Sequence, residues 1–142
     1  MRKSWLISVA CLLLTACVYS RFIVAEMPNG EKVRLRTAIT QNEFVRGLSR
    51  IEEPANCEGM LFLKKHSETV SFWMFQMKFP LDLVYLDKNK MVKELYPAQP
   101  ACVENQECPV VTSKTDNIRY ILELKAGAAE KYGLKIGTKI KW

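Results

Sequence analysis

The stretch LDLVYL-DKNK-MVKELY, residues 81–96, decides the fold. Two short runs rich in aliphatic and aromatic residues flank the polar segment Asp87-Lys88-Asn89-Lys90. A short polar segment between two such runs is typical of the connection in a β-hairpin. The stretch therefore predicts two antiparallel strands.

Similar short runs, separated by turn residues, lie on both sides of this hairpin. Residues 32–39 alternate apolar with other side chains, which is the pattern of a half-buried strand. The other predicted strands are residues 22–25, 60–63, 70–75, 120–124 and 137–142. The fold class expected is mainly β (α+β), a compact antiparallel sheet curled into a barrel or sandwich with one or two short helices.

The first helix is predicted directly after residue 39. Thr40 and Glu43 have the spacing of a capping box, and Gly47 is placed to end the helix in a left-handed conformation. A second, brief helix is expected over residues 128–132, stopped by Gly133.

The N-terminus has the pattern of an export signal. Arg2 and Lys3 precede an apolar run over residues 6–14, which is too short to span a membrane. Residues 14–17, Leu-Thr-Ala-Cys, resemble the bacterial lipobox, which implies that Cys17 receives diacylglycerol and becomes the first mature residue. The alternative is an ordinary signal peptide in which Cys17 is merely present.

Three segments follow from this pattern. We expect a lipoprotein signal peptide over residues 1–16, then a lipidated N-terminus, tether and candidate edge strand over 17–31, and a single globular domain over 32–142. The expected location is a membrane-anchored, exported lipoprotein facing the periplasm. Val18 and not Asp follows the cysteine, and if the host has two membranes, resemblance to its sorted lipoproteins implies the inner leaflet of the outer membrane.

Charge excludes one class of partner. Without Arg2 and Lys3 the chain keeps 19 basic residues against 15 acidic ones, a formal charge of +4. The basic residues are scattered along the sequence, whereas a nucleic-acid-binding protein concentrates them on one face or along one helix. We therefore expect no nucleic-acid partner.

Cys102 and Cys108 form the predicted disulfide, because five intervening residues in a polar loop allow easy closure and an oxidising compartment favours pairing. A redox or zinc site is the alternative, but a redox pair usually has two intervening residues and zinc needs further ligands. Cys57 is left over and is expected to be a buried thiol.

Asp82 and Glu123 are the candidate functional acids, each flanked by leucines on a predicted strand. Alternation places the leucines inward, so the acids either face solvent or pair with Arg46 or Lys78. Alternatively, both carboxylates share one pocket, where a raised pKa makes one the acid and the other the base of a hydrolase.

A metal site is a further hypothesis. The candidate soft ligands for Cu(I) are Cys57, Met60, His66, Met74 and Met77. Because the methionines also fill cores and His66 lies in a polar, turn-like segment, we expect neither a metal nor a cofactor. A nucleophile system based on histidine would have to use His66, since the chain has a single histidine.

The aromatic residues Phe72, Trp73, Phe75 and Phe79 are concentrated in one segment. A strand buried on both faces is the simpler interpretation. The alternative is that one exposed ring stacks on a sugar or a partner peptide.

Several short motifs, in this order, resemble a known family. They are Arg46-Gly47-Leu48, residues 59–62, residues 72–74, Pro80-Leu81-Asp82, the Cys102/Cys108 loop and residues 122–127. Over residues 32–142 the chain resembles domain of unknown function 192, also called uncharacterised protein family 0127. The resemblance implies a compact, mostly β domain that is often exported. The family has no established reaction that could be assigned to this chain.

The function expected is that of an envelope lipoprotein with a non-catalytic binding or accessory domain. Its candidate ligand groove comprises Arg46, Trp73, Asp82 and Glu123, and its partners are the membrane, through the lipid anchor, and a small polar ligand, glycan or envelope protein. The alternatives are an envelope hydrolase using Asp82 and Glu123, and a structural lipoprotein without a ligand. Exposed acids together with a buried Trp73 would favour the structural protein.

Overall fold

A computed structural model describes residues 21–52, 59–102 and 107–142. Cys17 and Cys57 lie outside these ranges, as does the signal segment. The described residues contain these elements: β1 Phe22–Glu26, β2 Lys32–Ala38, α1 Gln41–Arg46, β3 Gly59–Glu68, β4 Ser71–Trp73, β5 Leu81–Leu86, β6 Val92–Gln99, β7 Val110–Thr112, β8 Ile118–Lys125 and α2 Ala128–Lys131. Neither helix has the length or apolar character needed to cross a membrane.

Six of the strands form one sheet in the order β1-β2-β3-β8-β5-β6, and β4 pairs with β7 in a separate two-stranded ribbon. The mainly β fold with two short helices is therefore confirmed. The described strands do not close into a barrel, since β1 and β6 stand at opposite edges of the sheet. A large sheet with a small ribbon packed against it remains compatible with a sandwich.

One pair of strands departs from the antiparallel expectation. β2 and β3 are parallel, with Leu35 opposite Gly59 and Ala38 opposite Phe62. The segment that contains α1 returns the chain to the same end of the sheet, and such a crossover is what a parallel pair requires. The predicted hairpin is confirmed, because β5 and β6 pair antiparallel with Val84 opposite Leu95.

The centre of the sheet is buried on both faces. All six residues of β5 are buried. On one face, Phe62, Leu83 and Tyr85 belong to an apolar cluster against which Phe44 of α1 packs, which we call the α1-side cluster. On the other face the α2-side cluster includes Ala129 of α2. A strand buried on both faces carries an unbroken apolar run, as β5 does apart from Asp82.

The predicted capping of α1 is confirmed. The Thr40 side chain accepts a hydrogen bond from the Glu43 main-chain N–H over 3.4 Å, and the Glu43 carboxylate accepts one from the Thr40 N–H over 2.9 Å. The N–H groups of Ile39 and Thr40 lower the pKa of Glu43 to about 2. Gly47 follows the helix with φ of 48°. These contacts fix where the helix begins and ends.

The C-terminal strand prediction is wrong. Residues 137–142 form only single bridges, Lys139 with Met91 and Lys141 with Glu26. Because these partners lie at opposite edges of the sheet, the terminal residues pair with neither edge for long enough to make a strand. The second helix ends at Lys131, shortly before Gly133 with φ of 71°.

Candidate functional site

Asp82 holds two loops to the sheet. Its Oδ1 accepts the Ala98 main-chain N–H over 2.8 Å, and its Oδ2 accepts the Ala129 N–H over 2.9 Å. The residue is 1% exposed. The expectation that Asp82 faces solvent or pairs with a basic side chain is therefore wrong. The reason is that α2 and the end of β6 cover this face, and their main-chain N–H groups take the place of a cation.

Glu123 is also buried, with 4% of its surface exposed. Burial raises the pKa of this carboxyl to about 8, and a hydrogen bond from the Leu48 main chain offsets only part of that rise. Its Oε2 has no hydrogen-bond partner among the described residues. At neutral pH the carboxyl is therefore mainly protonated, and the expectation of a solvent-facing acid fails here too, because α1 and the loop after it cover the site.

The loop after α1 approaches Glu123 closely. A Cβ at Gly47 would lie 3.2 Å from Glu123 Oε2 and 3.4 Å from the ring of Phe62. The motif Arg46-Gly47-Leu48 therefore serves packing, because a residue without a side chain lets the main chain cover the acid.

The two acids lie on opposite faces of the sheet. In the β5–β8 pair, Leu83 is opposite Glu123 and Asp82 is opposite Leu124. Residues directly opposite each other share a face, and consecutive residues alternate between faces. Asp82 therefore points toward α2 and Glu123 toward α1, so the two carboxylates do not share the pocket that the hydrolase hypothesis requires.

Trp73 is exposed, which corrects the interpretation of its strand as buried on both faces. It lies in β4 with 53% of its surface accessible, and Val110, opposite it in β7, is 59% exposed. The Phe75 ring lies 5.0 Å from the Trp73 ring, centroid to centroid. On the other face of β4, Phe72 packs edge-on against Phe62 at 4.8 Å. Only the inner face of the β4–β7 ribbon contacts the core.

A groove of about 600 Å³ runs beside Trp73, between α1 and the β4–β7 ribbon. We call it the α1–β4 groove. Lys64 and Glu68, four residues apart on β3, form an ion pair that lines part of the groove. Its apolar lining is supplied by Phe44, Val45, Val70, Phe72, Trp73 and Val110. The groove thus combines aromatic surface with one charged pair.

The groove predicted from the sequence assembles only in part. Trp73 lines it, whereas Asp82 lies on the other face of the sheet and Glu123 is covered by the loop after α1. Arg46 ends α1 with an exposed side chain and is not part of the lining. Sequence reasoning missed Val45 and Val110. The capping box located the helix that carries Val45, but no local signal places Val110 opposite Trp73.

The candidate copper ligands that the structure describes are divided between the core and the surface. Met60, Met74 and Met77 are buried in the α1-side cluster, and His66 is exposed on β3. The expectation of a turn at His66 is corrected, because β3 continues to Glu68 past a register shift against β8. No group of three or more His, Cys, Asp or Glu side chains among the described residues is arranged to hold a metal ion.

A disulfide joins Cys102 to Cys108, with the Cα atoms 5.5 Å apart. The Cys102 N–H donates to the Met74 carbonyl over 3.2 Å, and the main chain of Cys102 pairs with that of Phe75 in a single parallel β-bridge. Cys108 lies two residues before Val110. The disulfide therefore links the chain leaving β6 with the chain entering β7, and its Cys102 end lies against the chain that follows Trp73.

Comparison with known proteins agrees with this architecture. The profile of the family DUF192, described as "Uncharacterized ACR", matches residues 24–142. A candidate transcription regulator from Sinorhizobium meliloti 1021 has a similar structure, with a TM-score of 0.70, 21% identity, and coverage of 83% of this chain and 89% of that one. A protein of unknown function from Novosphingobium aromaticivorans DSM 12444 has a TM-score of 0.68 at 23% identity, covering 85% of each chain. No curated protein matches the sequence.

Fold and site together define a small mixed-sheet domain with an exposed aromatic groove. The chain belongs to the DUF192 family, as the motifs around Gly47, Trp73 and Glu123 predict. The two solved structures share its fold.

Proposed function

We propose that this protein is an exported lipoprotein of the cell envelope, anchored through Cys17, and that its domain is a non-catalytic binding module. The export pattern of residues 1–17 supports the location. Two or three acyl chains hold such a protein on a membrane permanently, because each buried methylene contributes about 0.8 kcal/mol. The domain is then left free to bind a small polar ligand, a glycan or an envelope protein.

The exposure of Trp73 carries the proposal of binding. A tryptophan with 53% of its surface accessible, backed by Phe75 and set beside a groove, is an unusual use of a large apolar side chain. Such rings bind ligands by stacking on a flat apolar surface, while neighbouring polar groups fix orientation. Lys64 and Glu68 are the charged neighbours in this groove.

Binding is favoured over catalysis because the two candidate acids have other roles. Both oxygens of Asp82 accept main-chain N–H groups. Glu123 is covered by the loop after α1 and has no access to the groove. The arrangement expected of a purely structural protein, exposed acids with a buried Trp73, is the reverse of the one observed.

Thermal unfolding in the presence of a ligand panel tests the binding function. Sugars, peptidoglycan fragments, metals and nucleotides are added to the protein, and a ligand at 100 times its dissociation constant stabilises it by about 2.7 kcal/mol. We expect one class to raise the midpoint, and Trp73→Ala to abolish that rise. Val24→Ala is the matched control, because Val24 is 58% exposed on β1, outside the groove. A rise that survives Trp73→Ala would place the ligand elsewhere.

Membrane fractionation tests the location separately. We expect the protein to sediment with membranes, in the outer membrane if the host has two, and to take up labelled fatty acid that Cys17→Ser does not take up. A wild type without the label, or equal label in Cys17→Ser, would contradict the lipid anchor.

A further inference from the structure

The distance from the lipid anchor to the domain is short. Three residues separate Cys17 from Arg21, and the four steps between them reach only about 14 Å even when the chain is fully extended. A domain of this size has a radius of gyration of about 14 Å, so its far side lies well beyond the reach of the tether. If Cys17 is lipidated, as proposed above, the surface around Arg21 is held close to the membrane.

Arg21 lies beside helix α1. Its carbonyl oxygen accepts hydrogen bonds from the Thr37 main-chain N–H over 2.7 Å and from the Thr37 hydroxyl over 3.0 Å. Its guanidinium pairs with the carboxylate of Glu43 in α1. Val45 is two residues further on, about 3 Å along the helix axis and about 200° around it, so it lies on a different side of α1 from Glu43. The tether therefore holds α1 near the membrane, and the same helix lines the α1–β4 groove through Phe44 and Val45.

The same surface is the most apolar part of the described exterior. Of the six large apolar residues that stand out as exposed there, four lie around α1 and the groove. These four, which we call the α1 face, are Ile39 (50%), Val45 (62%), Trp73 (53%) and Val110 (59%). Ile39 is adjacent to the tether contact, because its N–H donates to Glu43 over 3.0 Å.

Charge on this surface permits contact with lipid headgroups. Arg46, at the end of α1, and Arg50, after it, are exposed, and Arg50 Nε donates to Gln76 Oε1 over 2.5 Å, next to Phe75. The acids Glu43 and Glu68 are paired with Arg21 and Lys64. Two further acids are exposed, Glu52 close to Arg50 in sequence and Glu107 close to Val110. The electrostatic attraction of this surface to lipid headgroups is therefore small, and apolar contact is the main source of affinity.

We infer that the α1 face docks on the phospholipid surface of the membrane that anchors Cys17, with the α1–β4 groove receiving lipid headgroups. This inference rests on the proposed lipid anchor and names the partner of the proposed binding groove. Tethering makes docking an intramolecular event with an effective concentration in the millimolar range, so a weak surface affinity is sufficient. Tryptophan is the side chain most suited to the interface, because its ring is apolar and its N–H remains hydrated.

The two tryptophans of the mature chain provide the test. Trp142 lies at the opposite end of β1 from the tether, since the Glu26 N–H donates to the Lys141 carbonyl over 2.8 Å and β1 spans about 13 Å from Phe22 to Glu26. In Trp142→Phe the mature protein keeps only Trp73, and in Trp73→Phe it keeps only Trp142. Each variant reports on one end of the domain.

The full lipoprotein is reconstituted into vesicles of phosphatidylethanolamine and phosphatidylglycerol, with and without brominated acyl chains that quench tryptophan. We expect bromination to lower Trp73 emission about twofold and to leave Trp142 emission nearly unchanged. Val45→Glu, added to Trp142→Phe, is expected to restore most of the Trp73 emission because it places a charge on the docking face. The position is 62% exposed, and an unchanged thermal midpoint shows that the variant folds.

Three results would overturn the inference. If the protein floats with the vesicles while Trp73 is unquenched, or while Trp73 and Trp142 are quenched equally, docking through the α1 face is wrong and the lipid anchor stands. If the protein does not float, the anchor fails and the docking inference fails with it. The ligand panel with Trp73→Ala tests the groove independently of both outcomes.

Discussion

Glu123 lies opposite Leu83 across the β5–β8 pair, one residue out of step with Asp82. That register places one acid under α1 and the other under α2. The same two carboxylates that a reader of the sequence would group as a catalytic pair therefore belong to different halves of the core, and each can be tested separately.

Glu123 is expected to make stability fall as pH rises. Its pKa is about 8 in the folded protein and near 4.5 when exposed, so between these values the folded state binds the extra proton. The free energy of unfolding then decreases with rising pH by up to about 1.4 kcal/mol per pH unit, and the decrease ends above pH 8. Denaturant unfolding between pH 4.5 and 9 should show this slope in the wild type and not in Glu123→Gln.

Glu68→Gln is the control for that experiment, because Glu68 is an exposed acid paired with Lys64 on β3. It should leave the slope between pH 5 and pH 8 in place. An equal slope in Glu123→Gln and the wild type would show that Glu123 is ionised in the folded protein at neutral pH.

Asp82→Asn should destabilise the domain without affecting ligand binding in the groove. Asp82 uses both oxygens as acceptors, so an amide leaves either Ala98 N–H or Ala129 N–H facing a second donor. An unsatisfied buried donor costs about 1–3 kcal/mol, measurable by denaturant unfolding.

Asp87→Asn is the matched variant, since Oδ1 of Asp87 alone accepts both of its hydrogen bonds, from the N–H groups of Asn89 and Met91. The amide retains that oxygen, so little loss of stability is expected. Equal effects of the two substitutions would argue against a role for both Asp82 hydrogen bonds, to Ala98 and to Ala129, in stability.

Gly59→Ala should be strongly destabilising. A Cβ at Gly59 would lie 2.4 Å from the Glu123 carbonyl oxygen and 2.7 Å from a Leu124 methyl carbon, and main chain in the middle of a sheet cannot move away. We expect a loss of about 2 kcal/mol or more.

Gly137→Ala separates this clash from general effects of replacing glycine. Gly137 has φ of 87° with nothing within 4 Å of its added Cβ, so only backbone strain of about 1–2 kcal/mol is expected. Thermal midpoints compare the two variants, and a larger loss at Gly137 would mean that the β3–β8 contact is looser than described.

Removal of the disulfide should weaken the domain moderately. Chain entropy predicts that a loop as short as Cys102–Cys108 contributes about 2.4 kcal/mol. The double variant Cys102→Ala, Cys108→Ala should therefore unfold at lower denaturant concentration, and a reducing agent should have a similar effect on the wild type but none on the variant. A wild type insensitive to reduction would show that the bond contributes nothing to stability.

Local sequence patterns predict where helices and turns lie better than they predict which elements pack against each other. Two such patterns are confirmed, because each determines structure within a few residues. They are the capping box at Thr40 and Glu43 and the polar turn before Met91. Burial of Asp82 was missed because its partners, Ala98 and Ala129, lie 16 and 47 residues away in the chain. Alternation identified which residues share a face within one strand, but the register that separates Asp82 from Glu123 depends on pairing between strands.

The position of β8 has a consequence for how the protein is made. This strand, the last of the described strands, lies between β3 and β5 near the centre of the sheet. Until residues 118–125 have been synthesised, the two halves of the sheet have no strand to join them, and such long-range pairings form slowly. A chain that ends before Ile118 thus leaves one edge of β3 and one edge of β5 unpaired, and we expect ribosome-bound fragments of that length to be open to protease.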